Sequence, residues 1–423
     1  MNGKTEKWVA VIDPYSSGNV LPQKAREKGM KVVRIQSGTD SELHPLDIAD
    51  IRISANFEDR KIVFTGDIQS TVHELEKFDL MAVIPGYEGV VDTAETIASE
   101  LSLPTNSREL IQARIDKYEM HNAVGKSGLA IPRQNVFADK KAACRWIENE
   151  SPGFPLIVKP AQSAGTEGVS LCHDLLELDV AFAKTLGKTN ILKKQNSRLL
   201  VQEYIRGTEF VVDAISVHGR HFITDVWQYR KNVVNNNNII YDYAELLDPS
   251  CPSLMPLIEY QNGVLDAVGI RYGASHGEVF RTNDGRIVIG EVGARLPGAD
   301  LPLALERATG IDIAGLNIDS YINPQKAIIE LEQLFMSRNK PKHCRVVFPV
   351  SEKNGIIKRV RTDLLHEMHS LVHFVLPQAG DLVSKTVDLV TAPGHLVLVH
   401  ENMDTLKKDY EHFRKIESRL FIL

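Results

Sequence analysis

The sequence predicts an α/β protein of two or three lobes, and three observations support this fold class. The 423 residues, 43% hydrophobic and 25% charged, have an ordinary globular composition. Strand and helix patterns alternate through residues 1–105, which is typical of a parallel sheet. Short apolar alternations flank Asp284-Gly285 and recur beyond residue 325, which favours antiparallel β structure there. We therefore predict a βαβ domain (1–105), a central core (106–325) and a small, mainly β lobe (326–423).

The bulk properties exclude several functional classes. A formal net charge of -6 disfavours a broad nucleic-acid surface, although a local basic patch can still bind phosphates. No stretch approaches the roughly 18 apolar residues that a membrane helix needs. Cys144, Cys172, Cys251 and Cys344 form no CxxC pair, which predicts reduced, mostly buried thiols. We expect a cytoplasmic protein with no membrane partner, and the sequence leaves a homo-oligomer such as a dimer open.

In the N-terminal domain, WVAVID, KVVRI and LMAVIP are predicted strands separated by helices. Glu88 follows the third of these strands, at the carboxyl end where ligands approach open α/β sheets. Its carboxylate could bind a substrate ammonium group or could stabilise a helix N-terminus. The loop Ser16-Ser17-Gly18 lacks the GxGxxG spacing, which favours a structural turn over a nucleotide site.

Two lysines are candidate phosphate ligands in the core. A helix predicted from Asn106 to Gly128 carries Lys117 near its middle, where a lysine is usually a surface charge. The buried strand in FPLIVKPAQSAGTEGVSL delivers Lys159, and the loop 162–168 has two glycines that let backbone amides turn toward an anion. The loop does not match GxxxxGK[ST], so a P-loop is excluded. An anion-binding loop and a plain flexible loop both remain open.

The segment LLVQEYIRGTEFVVDAISV predicts two strands joined by a short linker, with Glu203 and Glu209 on either side of the turn at Arg206-Gly207. Such a linker can offer backbone groups to an adenine edge while a carboxylate binds ribose hydroxyls. An edge hairpin with surface acids is the alternative.

The stretch YRKNVVNNNNIIYDYAEL contains four consecutive asparagines and is predicted to be a polar loop. Arg230 and Lys231 in it could contact phosphates near the site, or the whole excursion could be solvated. In the C-terminal lobe, His395 and His400 are expected to be structural rather than ligands.

The stretch 272–302 predicts two strands joined by a two-residue turn at Asp284-Gly285. This register places Glu278 opposite Glu291 and His276 opposite Gly293, with Arg295 on the same face. Two facing carboxylates repel each other, and a divalent cation would reverse that effect. The hairpin therefore predicts either a Mg²⁺ site with Arg295 near a transferring phosphoryl group or a solvated hairpin with incidental charges.

The order of these elements resembles the ATP-grasp superfamily, and within it the carboxylate-amine ligases that join amino acids into dipeptides, the L-amino-acid ligases. The resemblance covers nearly the whole chain and is carried by IDKYEM, LIVKPAQSAGTEGVSL, LLVQEYIRGTEFVVD and SHGEVFRTNDGRIVIGEVGARLPG. It implies a Rossmann-like N-terminal domain, an ATP-grasp core and a small, mainly β C-terminal lobe. It also implies ATP as the nucleotide and Mg²⁺, or Mn²⁺ in its place, as the metal.

The resemblance implies roles for the motif residues. The implied ATP-binding residues are the two lysines and the lid loop at the phosphates, the adenine hinge and the ribose ligand. They are Lys117, Lys159, Ser163, Gly165, Thr166, Gln202, Glu203, Tyr204, Ile205 and Glu209. The metal ligands are Glu278 and Glu291, and Arg295 is catalytic, steadying an acyl phosphate and its tetrahedral successor. The residues around the amino-acid substrate are Glu88, His276, Arg295, Gly298 and Ala299.

One position departs from the family pattern. Many ATP-grasp enzymes have Glu-x-Asn at the metal strand, whereas this chain has Glu291-Val292-Gly293. The amide ligand is therefore missing. Either one Mg²⁺ is held less tightly, water replaces the amide, or only one metal has a complete protein shell. His276, opposite Gly293, either reaches the site or merely packs on the sheet.

The implied activity is amide formation between two amino acids, with an acyl-phosphate intermediate and with dipeptide or a related amide, ADP and phosphate as products. Two alternatives remain open. The first is a ligase or carboxylase acting on another small carboxylate, although no lipoyl-like or biotinylated segment is visible. The second is an ATP-binding protein that has lost catalysis, which Gly293 permits and the intact Glu278, Glu291 and Arg295 disfavour.

Overall fold

A computed structural model describes residues 6–38, 54–150, 152–234, 238–336 and 340–423. The strands are β1 Lys7–Ile12, β2 Lys31–Ser37, β3 Arg60–Phe64, β4 Asp79–Pro85, β5 Gln134–Phe137, β6 Leu156–Pro160, β7 Ser170–Cys172, β8 Leu199–Glu203, β9 Gly207–Val217, β10 Arg220–Val234, β11 Asn238–Leu247, β12 Gly273–Thr282, β13 Ile287–Gly293, β14 His343–Val347, β15 Gly355–Ile356, β16 Arg359–Val360, β17 Leu371–Val375, β18 Leu382–Val383, β19 His395–His400 and β20 Phe421–Ile422.

The α-helices of these ranges are α1 Leu21–Glu27, α2 Ile68–Leu75, α3 Val91–Glu100, α4 Ile111–Ile115, α5 Lys117–Lys126, α6 Lys140–Glu150, α7 Leu175–Thr185, α8 Met255–Ala267, α9 Leu301–Thr309, α10 Ile313–Ile322, α11 Pro324–Met336 and α12 Met403–Ile416. Among the helices described, none combines the length and the apolar character that a membrane crossing requires.

The N-terminal domain contains a parallel sheet in the order β3-β2-β1-β4, as its alternating pattern predicts. Its strands bury apolar runs on both faces, which is typical of a parallel sheet covered by helices. The loop at Ser16-Ser17-Gly18 forms a short 3-10 turn. A Cβ on Gly18 would lie 2.0 Å from the Gly86 carbonyl oxygen, so this glycine permits close backbone packing.

The single helix predicted from Asn106 to Gly128 is wrong. Asp116 has an extended backbone, and its side chain accepts hydrogen bonds from the N–H groups of Tyr118 and Glu119. This aspartate therefore caps a new helix and separates α4 from α5. Lys117 is the first residue of α5 rather than a residue at the middle of one helix.

A small lobe contains the antiparallel sheet β5-β8-β6-β7, covered by α6 and α7. It has its own hydrophobic core, which includes Leu156, Val158, Phe182 and Val201. Strands β8 and β9 belong to different sheets, so the edge-hairpin alternative for this segment is wrong. The linker 204–206 instead joins the small lobe to the central sheet.

The central sheet is antiparallel, in the order β13-β12-β9-β10-β11-β14-β19-β17. The polar loop predicted around Arg230 and Lys231 is wrong over most of its length, because β10 and β11 pair from Val226 opposite Leu247 to Val234 opposite Asn238. The backbone ladder and the buried Tyr241 stabilise this pair in spite of its polar composition. Asparagines 235–237 lie outside the described residues.

The hairpin of β12 and β13 has the predicted register at its functional end but not the predicted turn. Glu278 lies opposite Glu291 and His276 opposite Gly293, as expected. The Thr282 N–H donates to the Arg286 carbonyl, so the loop has three residues, 283–285, rather than two. A β-bulge between Glu278 and Val279 takes up the extra residue at Gly290, and this bulge restores the predicted pairing.

The C-terminal residues extend the central sheet and also form two small two-stranded sheets, β15 with β18 and β16 with β20. β14, β19 and β17 continue the order beyond β11, and the predicted boundary at 325/326 lies within α11. Helix α12 packs Leu406, Phe413 and Ile416 beneath this extension. All four cysteines are free thiols, and the prediction that they are mostly buried is wrong for the exposed Cys251.

Candidate active site

A cleft of about 400 Å³ lies between the small lobe, the central sheet and the C-terminal extension. Every predicted site residue lines it except Glu88. Glu88 lies in a small adjoining cavity that it shares with Lys117 and Glu291. The fold therefore brings together residues that are far apart in the sequence.

Two lysines approach the cleft from different elements. Lys117 Nζ donates to the Ser163 carbonyl oxygen at 2.7 Å and lies 2.9 Å from Glu291 Oε1. Lys159, on β6, has no carboxylate within ion-pair distance among the described residues. Burial and the neighbouring ammonium of Lys117 lower the pKa of Lys159 to about 8. A cation that is both desolvated and unpaired is well placed for a phosphate.

The loop 162–168 covers one side of the cleft. Gly165 and Thr166 have φ values of 64° and 60°, in the left-handed region. The Leu389 N–H, from the C-terminal lobe, donates to Thr166 Oγ1 at 3.2 Å. A Cβ on Gly165 would lie 3.0 Å from Val390 Cγ2. The loop is therefore docked against the C-terminal lobe, as a closed lid would be.

Tyr204 and Ile205, in the linker after β8, also line the cleft. The Glu203 N–H donates to the Arg133 carbonyl oxygen at 2.9 Å and the Tyr204 N–H to that of Pro155 at 3.3 Å. The Ile205 N–H has no partner in the described part of the chain and is free for a ligand. Glu209 is held by Lys231, whose Nζ lies 2.6 Å from Glu209 Oε1. Lys231 thus binds a carboxylate here.

Glu278 and Glu291 face each other on neighbouring strands, and their pKa values are shifted in opposite directions. Burial, together with Glu209 and Glu291, raises the pKa of Glu278 despite the opposing effect of Lys231. Burial would also raise the pKa of Glu291, but Lys117 and Lys159 outweigh it and lower that pKa. The pair therefore concentrates negative charge that a bound cation would stabilise.

These two carboxylates fit a Mg²⁺ ion that completes its shell with substrate oxygens. Mg²⁺ usually binds through one or two carboxylates, with phosphates and waters supplying the other ligands. Within the described ranges, no group of three or more His, Cys, Asp or Glu side chains could enclose a metal by itself. The donor set thus suits a metal that arrives with a nucleotide.

Glu88 and Arg295 explain the glycine at position 293. Arg295 Nε donates to Glu88 Oε2 at 2.9 Å. A Cβ on Gly293 would lie 2.6 Å from the same Glu88 oxygen and 3.4 Å from Arg295 Cζ. The space that the usual asparagine side chain would enter is therefore filled by an ion pair between two lobes. Burial raises the pKa of Glu88 although Arg295 opposes this.

His276 faces the cleft and is supported from behind by two buried acids. Its Nδ1 lies 2.8 Å from Asp213 Oδ1, and its Nε2 lies 3.5 Å from the Tyr229 hydroxyl. Asp213 is the cross-strand neighbour of Asp225. Burial raises the pKa of each aspartate to about 8, and burial together with Arg295 lowers that of His276 to about 4. The lowered pKa of His276 favours its uncharged form.

Sequence reasoning missed a group of cleft residues. Tyr229 and Tyr241 are in ring contact at 5.0 Å, Tyr241 and Phe348 at 5.5 Å, and all three line the cleft with Leu389. No motif marks Phe348 or Leu389, since they come from the C-terminal lobe. Asp213 could have been found, because it lies four residues after Glu209 on one strand and so shares its face.

Comparison with known proteins agrees with this geometry. A family model described as an ATP-grasp domain matches residues 152–302. Dapdiamide A synthase of Enterobacter agglomerans is 28% identical over 418 residues, covering 98% of this chain and 97% of that protein. The L-arginine-specific L-amino acid ligase of Bacillus subtilis is 27% identical over 185 residues, 43% of this chain and 44% of that protein.

The fold matches as well. The crystal structure of an L-amino acid ligase from Bacillus licheniformis superimposes with a TM-score of 0.76 at 16% identity, covering 97% of this chain and 98% of that one. This likeness shows a shared fold. The ATP-grasp domain match at residues 152–302, together with relatives that are named as a synthase and a ligase, supports an ATP-dependent carboxylate-amine ligase.

Proposed function

We propose that the protein joins the carboxylate of one amino acid to the amine of a second, with dipeptide or a related amide, ADP and phosphate as products. The observation that carries this proposal is the shared cleft of Lys159, the Glu278 and Glu291 pair and Arg295. It provides a cation for phosphates, ligands for a metal and a guanidinium for developing negative charge. The name of one relative, the L-arginine-specific L-amino acid ligase of Bacillus subtilis, supports amino acids as the chemical class.

In the first step, a substrate carboxylate oxygen attacks the γ-phosphorus of ATP, an acyl phosphate forms and ADP leaves. Lys117 and Lys159 bind the phosphates and offset their charge. Glu278 and Glu291 would hold Mg²⁺, and the ion would supply positive charge that offsets the charge of the transferring phosphoryl group. The free Ile205 N–H binds the adenine edge, and Glu209 binds the ribose hydroxyls after exchanging its contact with Lys231.

In the second step, the uncharged amine attacks the acyl carbon, the C–N bond forms, phosphate leaves and one proton is released. Arg295 stabilises the negative charge that develops on the carbonyl oxygen. Glu88 lies beside Arg295 and orients the guanidinium, and it presents a carboxylate to a substrate ammonium. The lid 162–168 excludes water, which would otherwise hydrolyse the acyl phosphate.

The test is an ADP and phosphate release screen over pairs of the common amino acids, with mass detection of the products. We expect at least one pair to stimulate ADP formation and to give a condensation product of the summed mass less water. The Lys159→Ala variant is the negative control. Stimulation by a carboxylate that is not an amino acid, with no amino-acid pair active, would replace this proposal by the broader ligase alternative.

A further inference from the structure

The turn formed by Gly298, Ala299 and Asp300 is the place where all three parts of the chain meet. Gly298 and Ala299 line the cleft. A Cβ on Gly298 would lie 3.5 Å from Ser16 Oγ, so the N-terminal domain borders the turn on that side. The Leu301 N–H donates to the Gly298 carbonyl oxygen at 3.2 Å, which closes the turn just before α9. The C-terminal lobe borders it through Asp300.

The backbone of this turn is strained. Ala299 has a φ of 55° and Asp300 a φ of 54°, in the left-handed region that residues with a Cβ rarely adopt. Two such residues in succession persist only when surrounding contacts hold them, and they are typical of functional sites. The turn therefore needs an external support.

Asp300 does not act as its position predicts. It is the N-cap residue of α9, where an aspartate usually accepts a hydrogen bond from the first turn of the helix, yet its side chain makes no such bond. Its Oδ2 lies 2.9 Å from His395 Nε2 and 3.2 Å from His373 Nε2 instead. Burial would raise the pKa of Asp300, but the two histidines outweigh it and lower the pKa.

The two histidines come from neighbouring strands of the C-terminal extension. In the pairing of β17 with β19, His373 lies opposite Val397 and His395 opposite Val375, so the two are diagonal neighbours on adjacent strands. Both ring nitrogens reach the same carboxylate oxygen. We refer to His373, His395 and Asp300 as the histidine clamp.

We propose that His373 and His395 are positioning residues for the amino-acid substrate, because they hold Asp300 and so fix the left-handed turn that presents Gly298 and Ala299 to the cleft. This inference rests on the proposed function, in which that turn borders the amino-acid site. The histidines themselves do not contact the reacting atoms. Through them the C-terminal lobe sets the shape of a site whose chemistry lies in the core.

The first test compares the KM for amino acids with the KM for ATP. The His373→Ala/His395→Ala double variant should raise the KM for amino acids at least tenfold, while the KM for ATP stays within twofold of the wild-type value. The His373→Gln/His395→Gln variant keeps a side-chain N–H at a similar reach and should recover most of the loss. His369→Ala, an exposed histidine of the same lobe, is the control. Equal changes in both KM values, or no change in either, would overturn the clamp.

A second variant separates strain from positioning. Asp300→Gly removes the carboxylate and also the cost of the left-handed backbone. If the clamp positions the turn, Asp300→Gly should show the same rise in amino-acid KM as the double histidine variant. Wild-type kinetics for Asp300→Gly would mean that the histidines only offset strain, and the proposal would then be wrong.

Hydrogen exchange gives a readout that does not depend on turnover. Amides of residues 298–305 should exchange faster in the double histidine variant, with the exchange of β6 and β8 unchanged. Unaltered exchange in this segment would overturn the clamp. Failure of every amino acid to stimulate the wild-type protein would overturn the proposed function instead, so the two failures are distinguishable.

Discussion

At the scale of single residues, Gly293 shows how a neighbour from another lobe determines which side chain a position accepts. Glu88 comes from a segment 207 positions away from Arg295 in the chain, and its carboxylate fills the space beside Gly293. The ion pair of Glu88 and Arg295 thus occupies the space in which the asparagine side chain of the family pattern would lie. The sequence shows the absence, and only the fold shows what replaces it.

Restoring the usual asparagine should therefore damage the site. The Cβ of Gly293→Asn would lie 2.6 Å from Glu88 Oε2 and would displace the partner of Arg295. We expect kcat/KM for the amino acid to fall at least about tenfold, since small displacements of catalytic groups are costly. The control is Gly285→Asn, at a turn glycine with φ 87° and no atom within 4 Å of its Cβ. A gain in turnover for Gly293→Asn would contradict this account.

Glu291 should be essential for the phosphoryl transfer. Glu291→Ala removes one of two facing carboxylates and the partner of Lys117. We expect ADP formation to fall by at least about 10²-fold, the scale of losing one transition-state charge contact, with an unchanged circular dichroism spectrum. The control is Glu306→Ala, on an exposed position of α9. Wild-type turnover of Glu291→Ala at saturating Mg²⁺ would refute the metal assignment.

The residues that the sequence could identify are those whose geometry is local. The strand alternation and the turn at Asp284-Gly285 predict the pairing of Glu278 with Glu291, which the structure confirms, although a bulge compensates for a loop one residue longer than predicted. The support of His276 by Asp213 was not predicted, because it depends on the neighbouring strand β9. Non-local strand neighbours cannot be inferred from the alternation of one hairpin.

At the scale of elements, the lid is held in place by a lobe that the motif does not include. Its loop sequence predicted flexibility and a possible anion site, but not the contacts of Thr166 with Leu389 or of Gly165 with Val390. In the proposed function, in which the loop closes over the phosphates, these contacts couple that closure to the loop before β19. The lid and the extension should therefore act together.

Gly165→Ala should weaken this closure. The new Cβ would lie 3.0 Å from Val390 Cγ2 at a φ of 64°. The matched control is Gly187→Ala, with φ 75° and no neighbour within 4 Å, because both variants bear about 1–2 kcal/mol of left-handed strain. We expect Gly165→Ala alone to release more phosphate per amide formed, as measured by parallel phosphate and product assays. Identical ratios in the two variants would argue against lid docking.

The elements that the sequence predicted incorrectly share one physical cause. A side chain or a pairing partner changed the local outcome: Asp116 capped a second helix, and the ladder with β11 converted a polar segment into strand. The hairpin loop is one residue longer than predicted, and the β-bulge at Gly290 restores the predicted pairing of Glu278 with Glu291. Propensity alone cannot anticipate such contacts.

At the scale of the whole molecule, the buried Lys159 affects ATP binding and folding stability in opposite ways as the pH rises. The pKa of Lys159 is about 8, below its ordinary value, so this side chain loses its charge as pH rises through about 8. We expect kcat/KM for ATP to fall above this pH, because a neutral amine binds phosphate less well. Lys159→Arg, which stays charged, should abolish that fall.

The contribution of Lys159 to stability should change in the other direction. In the unfolded chain this lysine keeps its ordinary pKa near 10.5, so between about pH 8 and 10.5 the unfolded state binds more protons. Its contribution to the free energy of unfolding therefore rises with pH across that window. Urea titrations of wild type and Lys159→Met at pH 7 and 9.5 should show the penalty of the charged lysine shrinking at the higher pH; a growing penalty would contradict the assignment.

Several elements could be predicted from the sequence, but the joining of those elements could not. The βαβ pattern, the hairpin and the short β segments all lie where the sequence indicates them. That β14, β19 and β17 would continue the central sheet follows only from the pairing of β11 with β14. Long-range strand pairing is a property of the assembled chain rather than of any one segment.

The attachment of the small lobe has a further consequence. The chain enters this lobe at Arg133 and leaves it at Glu203, and these two residues exchange backbone and side-chain hydrogen bonds of 2.9 Å and 3.1 Å. A unit with its own core and with adjacent ends is topologically an insertion. It can rotate without stretching the chain, and it could be exchanged with the corresponding lobe of a relative. Such a chimaera would take Lys159 and the loop 162–168 from the donor and would keep Glu209, Glu278 and Glu291 of the host.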